Sequence, residues 1–194
     1  PGDLEVVRAL LNTWRIPNET RQPIDLLPEL SRRATRWHTE LPGLSRPRSA
    51  SRLDSLTGLR DGLRGMVERG RPGPRDVRWL QERLRRQPVA VSVRTGALGV
   101  QVSFGRPGRR PAEEAVLAAV LTALHSGDWH RLKACPDCRW VFYDHTRSAT
   151  KRWCGMTAVG PRGRACGSIA KVRAYRSRRA AQHAVAGAST TSVP

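Results

Sequence analysis

Apolar residues recur at intervals of three and four along much of the chain, and this spacing predicts a series of amphipathic α-helices. Five helices are expected before residue 128, over residues 4–13, 25–37, 53–70, 77–87 and 111–125. The core-facing residues of the first two are predicted to be Leu4, Val7, Leu10, Leu11, Leu26, Leu27, Leu30, Ala34 and Trp37. Those of the next two are predicted to be Leu53, Leu56, Leu59, Leu63, Val67, Val77, Leu80 and Leu84.

Two other stretches indicate β-strands. In VAVSVRTGALGVQVSF (89–104), apolar residues alternate with polar ones on both sides of a glycine-containing turn, which predicts a β-hairpin with one buried face. A shorter hairpin is expected between RWVFYDH (139–145) and TKRWC (150–154). The predicted fold class is therefore α+β, with a mostly helical N-terminal domain that contains a β-hairpin.

All four cysteines of the chain are Cys135, Cys138, Cys154 and Cys166. A Cys-x-x-Cys pair followed by two single cysteines can close a tetrahedral zinc site, and four thiolates leave no position open for a reacting water molecule. The predicted ion is therefore structural Zn²⁺. Cys154 is expected at the end of a strand and Cys166 just before a helix.

Three other interpretations of the cysteines compete with this one. Disulfides are disfavoured because the sequence resembles no secretory precursor, and a reducing compartment keeps thiols free. A thioredoxin-like redox motif would not require two further cysteines. Replacement of one cysteine ligand by His130 or His145 stays open.

The chain is strongly basic, with 35 Lys and Arg against 16 Asp and Glu in 194 residues, a formal net charge of +19. Residues 131–183 hold 13 of the basic side chains and only 2 of the acidic ones. Such an excess indicates a polyanionic partner.

A basic helix is predicted after Cys166, with Ser168 as its cap and with Ile169 and Val172 docked on the zinc module. Arginine, lysine and glutamine side chains can read bases in the major groove of DNA. The groove-facing and flanking residues are predicted to be Lys171, Arg173, Arg176, Arg178, Arg179 and Gln182. Phosphate contacts are predicted from Lys151, Arg152, Arg162 and Arg164.

This region resembles the CGNR zinc finger family. The residues that fall on the family's pattern are Trp140, Phe142, Asp144, Thr146, Arg147, Arg152, Trp153, Cys154, Cys166, Gly167, Ala170, Lys171 and Val172. Two features depart from it: Ser168-Ile169 stands where the family has Asn-Arg, and the eleven residues between Cys154 and Cys166 are more than the family leads us to expect.

The N-terminal segments ALLNT and DLLPEL resemble the opening of the ABATE domain that usually precedes a CGNR finger. The resemblance implies a bacterial-type transcription regulator, in which the first domain senses a ligand or stress signal or mediates dimerisation. The expected parts are an ABATE-like domain (1–128), a treble-clef-like zinc finger with its basic helix (129–183) and a disordered tail (184–194).

Duplex DNA is therefore the expected partner. An RNA-binding or ribosome-associated zinc protein and a zinc-stabilised protein-interaction module are the alternatives. No enzyme is expected, because no catalytic set emerges. No apolar run is long enough to span a membrane, so a cytoplasmic location is predicted. The sequence begins at Pro1 rather than methionine, and we expect that the native N-terminus has been removed.

Overall fold

A computed structural model describes residues 4–96, 99–108, 110–158 and 164–189. Its α-helices are α1 (Leu4–Leu11), α2 (Leu27–Arg32), α3 (Ala34–Glu40), α4 (Ala50–Arg69), α5 (Pro74–Arg86), α6 (Ala112–Ser126) and α7 (Cys166–Ser189). Its strands are β1 (Trp14–Arg15), β2 (Ile24–Asp25), β3 (Val91–Gly96), β4 (Gly99–Phe104), β5 (Leu132–Ala134) and β6 (Val141–Tyr143). A short 3₁₀-helix (Asp128–Arg131) precedes β5. No helix in these ranges has both the length and the apolar character needed to cross a bilayer.

The strands form three separate antiparallel hairpins, β1 with β2, β3 with β4 and β5 with β6. The main core lies among α1, α4 and α6, where apolar burial supplies most of the driving force for folding. Helix α6 is buried around most of its circumference. The predicted mixture of helices and small antiparallel sheets is confirmed.

Helices α4 and α5 approach closely where Gly62 faces Trp79. A Cβ atom on Gly62 would lie only 1.9 Å from Cζ2 of the Trp79 ring, so only glycine leaves room for the ring. Asp76 and Leu80 are the buried residues of α5. Val77 was predicted to face the core, but it is 50% exposed because it lies off this contact face.

The single helix predicted over residues 25–37 is wrong, because the structure has two helices there. The chain is extended at Arg33 (φ −117°, ψ 95°), between α2 and α3. The guanidinium of Arg46 donates to the carbonyl of Ser31 (2.7 Å), which gives one of the last carbonyls of α2 a partner. The break lets Trp37 enter the core, whereas Ala34, predicted to be buried, is exposed.

The hairpin of β3 and β4 forms in the predicted place, but its apolar face is not buried. Val93 lies opposite Val102, and these residues are 64% and 37% exposed. Val91 and Val100 are more than half exposed as well. Of these two strands, β4 is the one that packs against α6. Within the described residues, no second layer covers the valines. The predicted position of Leu98 lies outside the described residues.

The pairing predicted between RWVFYDH and TKRWC is also wrong, because β6 pairs with β5, which precedes it. This hairpin belongs to the main core, where Leu132 and Val141 are fully buried. The side chain of Asn12, at the end of α1, binds the backbone of Val141 twice: Nδ2 donates to its carbonyl and Oδ1 accepts from its amide, both at 2.9 Å. Asn12 thereby occupies backbone groups on the free edge of β6.

Helix α7 extends beyond the predicted boundary of the finger. Residues 184–189 were predicted to belong to a disordered tail, but they continue the helix. Three of these six residues are alanines, which have the highest helix propensity. Residues 190–194 lie outside the described residues.

Because Leu63 is buried and Val93 is exposed, truncating these two side chains should change the free energy of unfolding by different amounts. Leu63→Ala should lower the free energy of unfolding by about 2–5 kcal/mol, because it leaves a cavity in the main core. Val93→Ala should change it by about 0.5 kcal/mol or less, because the side chain is largely exposed. Urea denaturation of both variants checks this. A Val93→Ala cost close to that of Leu63→Ala would mean that the valine face is covered.

Candidate metal centre

The structure brings together the four predicted ligands. All four Sγ atoms lie within 4.8 Å of one another, with Cys138–Cys154 at 3.5 Å and Cys154–Cys166 at 3.7 Å. Zinc–sulfur bonds of about 2.3 Å in a tetrahedron place the sulfurs about 3.8 Å apart. The cluster therefore fits one Zn²⁺ ion. The separations exclude disulfides, whose sulfurs lie about 2.05 Å apart, and all four thiols are free.

A tight turn between β5 and β6 delivers Cys135 and Cys138. The amide of Cys135 donates to the carbonyl of Trp140 and the amide of Arg139 donates to the carbonyl of Cys135, both at 2.9 Å. Arg139 adopts a left-handed conformation (φ 59°), which closes the turn without a glycine. Both sulfurs are then aimed at one point, as the Cys-x-x-Cys spacing predicts.

Asp144 directs the chain towards Cys154. Its carboxylate is fully buried and accepts hydrogen bonds from Lys133 Nζ (2.8 Å), from the amide (3.0 Å) and hydroxyl (2.6 Å) of Thr146, and from the amide of Lys151 (2.7 Å). Burial alone would raise the pKa of Asp144, but these hydrogen bonds outweigh it and hold the pKa well below its ordinary value. Cys154 consequently lies in a bend after this loop, not at the predicted strand end.

Cys166 is the first residue of α7. The next residue, Gly167, donates its amide to the carbonyl of Gly155 (2.9 Å), which ties the helix start to the Cys154 bend. A Cβ atom on Gly167 would lie 2.1 Å from Sδ of Met156, so a larger residue here would require the Met156 side chain to move. Ser168 was predicted to cap α7, but it lies inside the helix and its hydroxyl donates to the carbonyl of Met156 (2.5 Å).

Four thiols this close cannot all ionise without a cation, because thiolates repel one another. Hydrogen bonds with Cys138 and Cys154 lower the pKa of Cys135. Hydrogen bonds with Cys135 and Cys138 raise the pKa of Cys154, and burial raises the pKa of Cys166 to about 12. A bound divalent cation would remove this conflict, since a coordinating thiol is deprotonated.

A small apolar cluster surrounds the sulfurs. Phe142 is buried there, with Trp140 and Trp153 partly buried around it, while Tyr143 packs against the main core instead. Trp140 and Phe142 therefore lie on one side of the chain and Tyr143 on the other. Neither candidate histidine joins the cluster: His130 Nδ1 lies 2.6 Å from the carbonyl of Gly127, and the His145 ring contacts the Tyr143 ring.

The residues predicted to contact nucleic acid occupy different environments. Those that are exposed on the surface are Lys151, Arg152, Lys171, Arg173, Arg176, Arg178, Arg179 and Gln182. Arg164 is partly buried and its Nε donates to Asp137 Oδ2 at 2.5 Å. Arg173 Nη1 also reaches Asp137, at 3.4 Å. Arg162 lies outside the described residues.

Sequence reasoning missed the side chains that attach the cysteine turn to the N-terminal helices. Arg64 on α4 is buried and donates to the carbonyls of Leu11 (2.7 Å) and Arg139 (3.0 Å). Arg21 donates to the carbonyl of Asp137 (2.8 Å). The Lys133–Asp144 pair was also missed as a contact. Arg64 lies on the otherwise apolar face of α4 and belongs to no sequence motif. Its role is therefore visible only from its buried position in the structure.

A comparison with known families supports the same region. Residues 131–179 match the family model described as the CGNR zinc finger. This part of the chain is therefore a zinc finger domain with four cysteines that could bind zinc. The comparison with curated proteins finds no match. The resemblance of residues 1–128 to the ABATE domain stays a prediction.

Removal of one sulfur tests the metal assignment. We expect Cys154→Ser to reduce the zinc content from about one ion per chain to a small fraction, because the tetrahedron loses a ligand. Zinc is measured by mass spectrometry after dialysis. Ser148→Ala, in an exposed loop of the same domain, should keep full zinc content. Unchanged zinc in Cys154→Ser would contradict the four-cysteine site.

The carboxylate of Asp144 should contribute strongly to stability. Asp144→Asn replaces an acceptor with a donor facing Lys133 and should cost about 3 kcal/mol of unfolding free energy, as breaking a buried ion pair does. The matched control is Asp128→Asn, whose half-exposed pair with Arg131 should contribute about 0.5 kcal/mol or less. Both are measured by urea denaturation of the zinc-loaded protein, and equal costs would contradict the role of Asp144.

Proposed function

We propose that the chain is a zinc-dependent DNA-binding transcriptional regulator, in which α7 contacts duplex DNA. The observation that carries the proposal is that α7 begins at the candidate ligand Cys166 and leaves the finger as an exposed basic helix. An ion held by the four sulfurs would fix the position of the helix start, and the rest of the helix is free to meet a polyanion.

The charge of α7 supports a phosphate-rich partner. The helix carries five basic residues and no acidic one. All described side chains from Lys171 to Gln182 are exposed. A helix of 24 residues is about 36 Å long, and the major groove of B-DNA is wide enough to admit it.

The apolar packing of α7 on the finger lies at the start of the helix, and Arg173 adds a polar contact, with Asp137 (3.4 Å). Ile169 is partly buried, but Val172, predicted to dock beside it, is 49% exposed, and Tyr175 is 57% exposed. Apolar packing alone would hold the helix weakly. A structural zinc ion contributes about 10 kcal/mol or more of folding free energy in small metal domains. We therefore expect the orientation of α7 to depend on the metal.

The residues predicted to contact phosphates are proposed to have two different roles. Lys151 and Arg152 lie exposed on the loop before Cys154 and are proposed to contact phosphates. Arg164 is proposed to act indirectly, because its guanidinium is engaged by Asp137 beside the cysteine turn. The pairing of Asp137 with Arg164 lowers the pKa of this carboxyl, so the ion pair persists at neutral pH.

RNA binding is the second candidate, and the finger's aromatic residues bear on it. Single-strand binders stack bases on exposed aromatic rings. Phe142 is only 7% exposed and Trp140 and Trp153 are partly buried, so these rings form the small core of the finger. This burial favours duplex DNA over single-stranded RNA as the partner.

By resemblance to the ABATE domain, the N-terminal domain is proposed to sense a ligand or stress signal or to mediate dimerisation.

Paired arginine substitutions test the role of α7. Arg176→Gln/Arg179→Gln should weaken binding to a duplex, selected by the protein from random sequences, at least tenfold. The slope of log affinity against log salt concentration should become shallower by about 1.8, because each of these two flanking side chains is proposed to neutralise one phosphate beside the groove. The control is Arg75→Gln/Arg78→Gln, an exposed pair on α5 with the same spacing and charge change.

The control should retain affinity within about twofold, because its arginines lie outside the proposed contact surface. Equal losses in both variants would show that net charge, not α7, governs binding. A single-stranded RNA of the same sequence that displaces the duplex at about 150 mM salt would favour the RNA alternative.

A further inference from the structure

A groove of about 870 Å³ lies on the N-terminal domain, away from the cysteine cluster. Its walls are the loop before α4, the first turns of α4 and the start of α6. Four arginines line it: Arg46, Arg48, Arg52 and Arg110. Glu113 is the one acidic residue among its lining residues. Its other polar lining residues are four serines and Gln87.

The four guanidinium groups have no carboxylate partner within the described part of the chain. Other arginines of the N-terminal domain do, such as Arg36 with Glu29 (2.6 Å) and Arg60 with Asp25 (2.5 Å). Like charges gathered around one groove repel one another, and this repulsion is relieved when an anion binds among them. Glu113 also lines the groove, but in the part of the chain that the structure describes it forms no ion pair with any of these four guanidinium groups.

Two of the arginines are held in place by backbone groups. Arg46 donates to the carbonyl of Ser31 (2.7 Å), and Arg110 donates to the carbonyl of Arg106 (3.1 Å). The hydroxyl of Ser45 donates to the carbonyl of Arg110 (2.7 Å), which joins two walls of the groove. A preorganised site loses less entropy when a ligand binds.

The N-terminus of α4 adds a further positive contribution. Ser49 caps the helix by accepting a hydrogen bond from the amide of Arg52 (3.3 Å). The first turn of this 20-residue helix contains no acidic residue that would offset its dipole. Backbone amides at such a terminus favour phosphate oxygens, and guanidinium groups bind them with two parallel hydrogen bonds.

We propose that this groove binds a compact ligand that carries two or more phosphate groups. Its volume lies within the range of small-molecule sites, about 300–1,000 Å³, and several separate guanidinium groups match several phosphates. The proposed site is separate from the cysteine turn. Arg52 and Arg64 are twelve residues apart on α4, so the groove lies about 18 Å along the helix from the contact with the cysteine turn.

Isothermal titration of the zinc-loaded full chain with adenosine diphosphate at about 150 mM salt tests the proposal. Arg48→Gln/Arg52→Gln should raise the dissociation constant at least tenfold. Both side chains are exposed, and the cap uses only the backbone of Arg52, so the fold should be kept. Arg75→Gln/Arg78→Gln removes the same charge elsewhere and should stay within about twofold of the unmodified chain.

Three outcomes would overturn the proposal. The first is no binding of adenosine diphosphate by the unmodified chain at millimolar concentration. The second is an equal loss in both arginine-pair variants, which would indicate net charge alone. The third is that Arg48→Gln/Arg52→Gln weakens duplex DNA binding tenfold while nucleotide binding is unchanged, which would make the groove a nucleic-acid contact. Unchanged duplex binding with lost nucleotide binding supports a separate site.

Discussion

The convergence of four sulfur atoms is the constraint on which the finger and α7 depend. Cys135 and Cys138 come from a turn whose strands lie in the main core, whereas Cys154 and Cys166 come from a bend and a helix start outside it. The distances between the sulfurs match a zinc tetrahedron. An ion at this point would join a part that the core already holds to the part that carries the basic helix.

The N-terminal domain and the first half of the finger form one packed structure. Asn12 binds the edge of β6, Arg64 binds the carbonyl of the turn residue Arg139, and Val141 is fully buried with the residues of α1. A rigid base of this kind allows the orientation of α7 to be set relative to the whole molecule. It also places α4 in contact with both the cysteine turn and, at its other end, the arginine-lined groove.

Much of this was readable from the sequence, because helical periodicity and cysteine spacing are local signals. The helices α1, α4 and α6, the zinc finger region and its four clustered cysteines were found this way. The β5–β6 pairing and the loop organised by Asp144 were not found, since they depend on packing against the N-terminal helices and on buried hydrogen bonds that hydrophobic periodicity does not show. The β3–β4 hairpin shows the same limit: alternation located the strands, but its valine face is exposed where a buried face was expected.

The most direct test of the central claim is zinc K-edge X-ray absorption of the purified full chain. We expect a first shell of four sulfur atoms at about 2.3 Å with no nitrogen or oxygen neighbour. A shell of three or fewer sulfurs completed by nitrogen or oxygen would contradict it, because one of the four cysteines would then not hold the ion that positions α7.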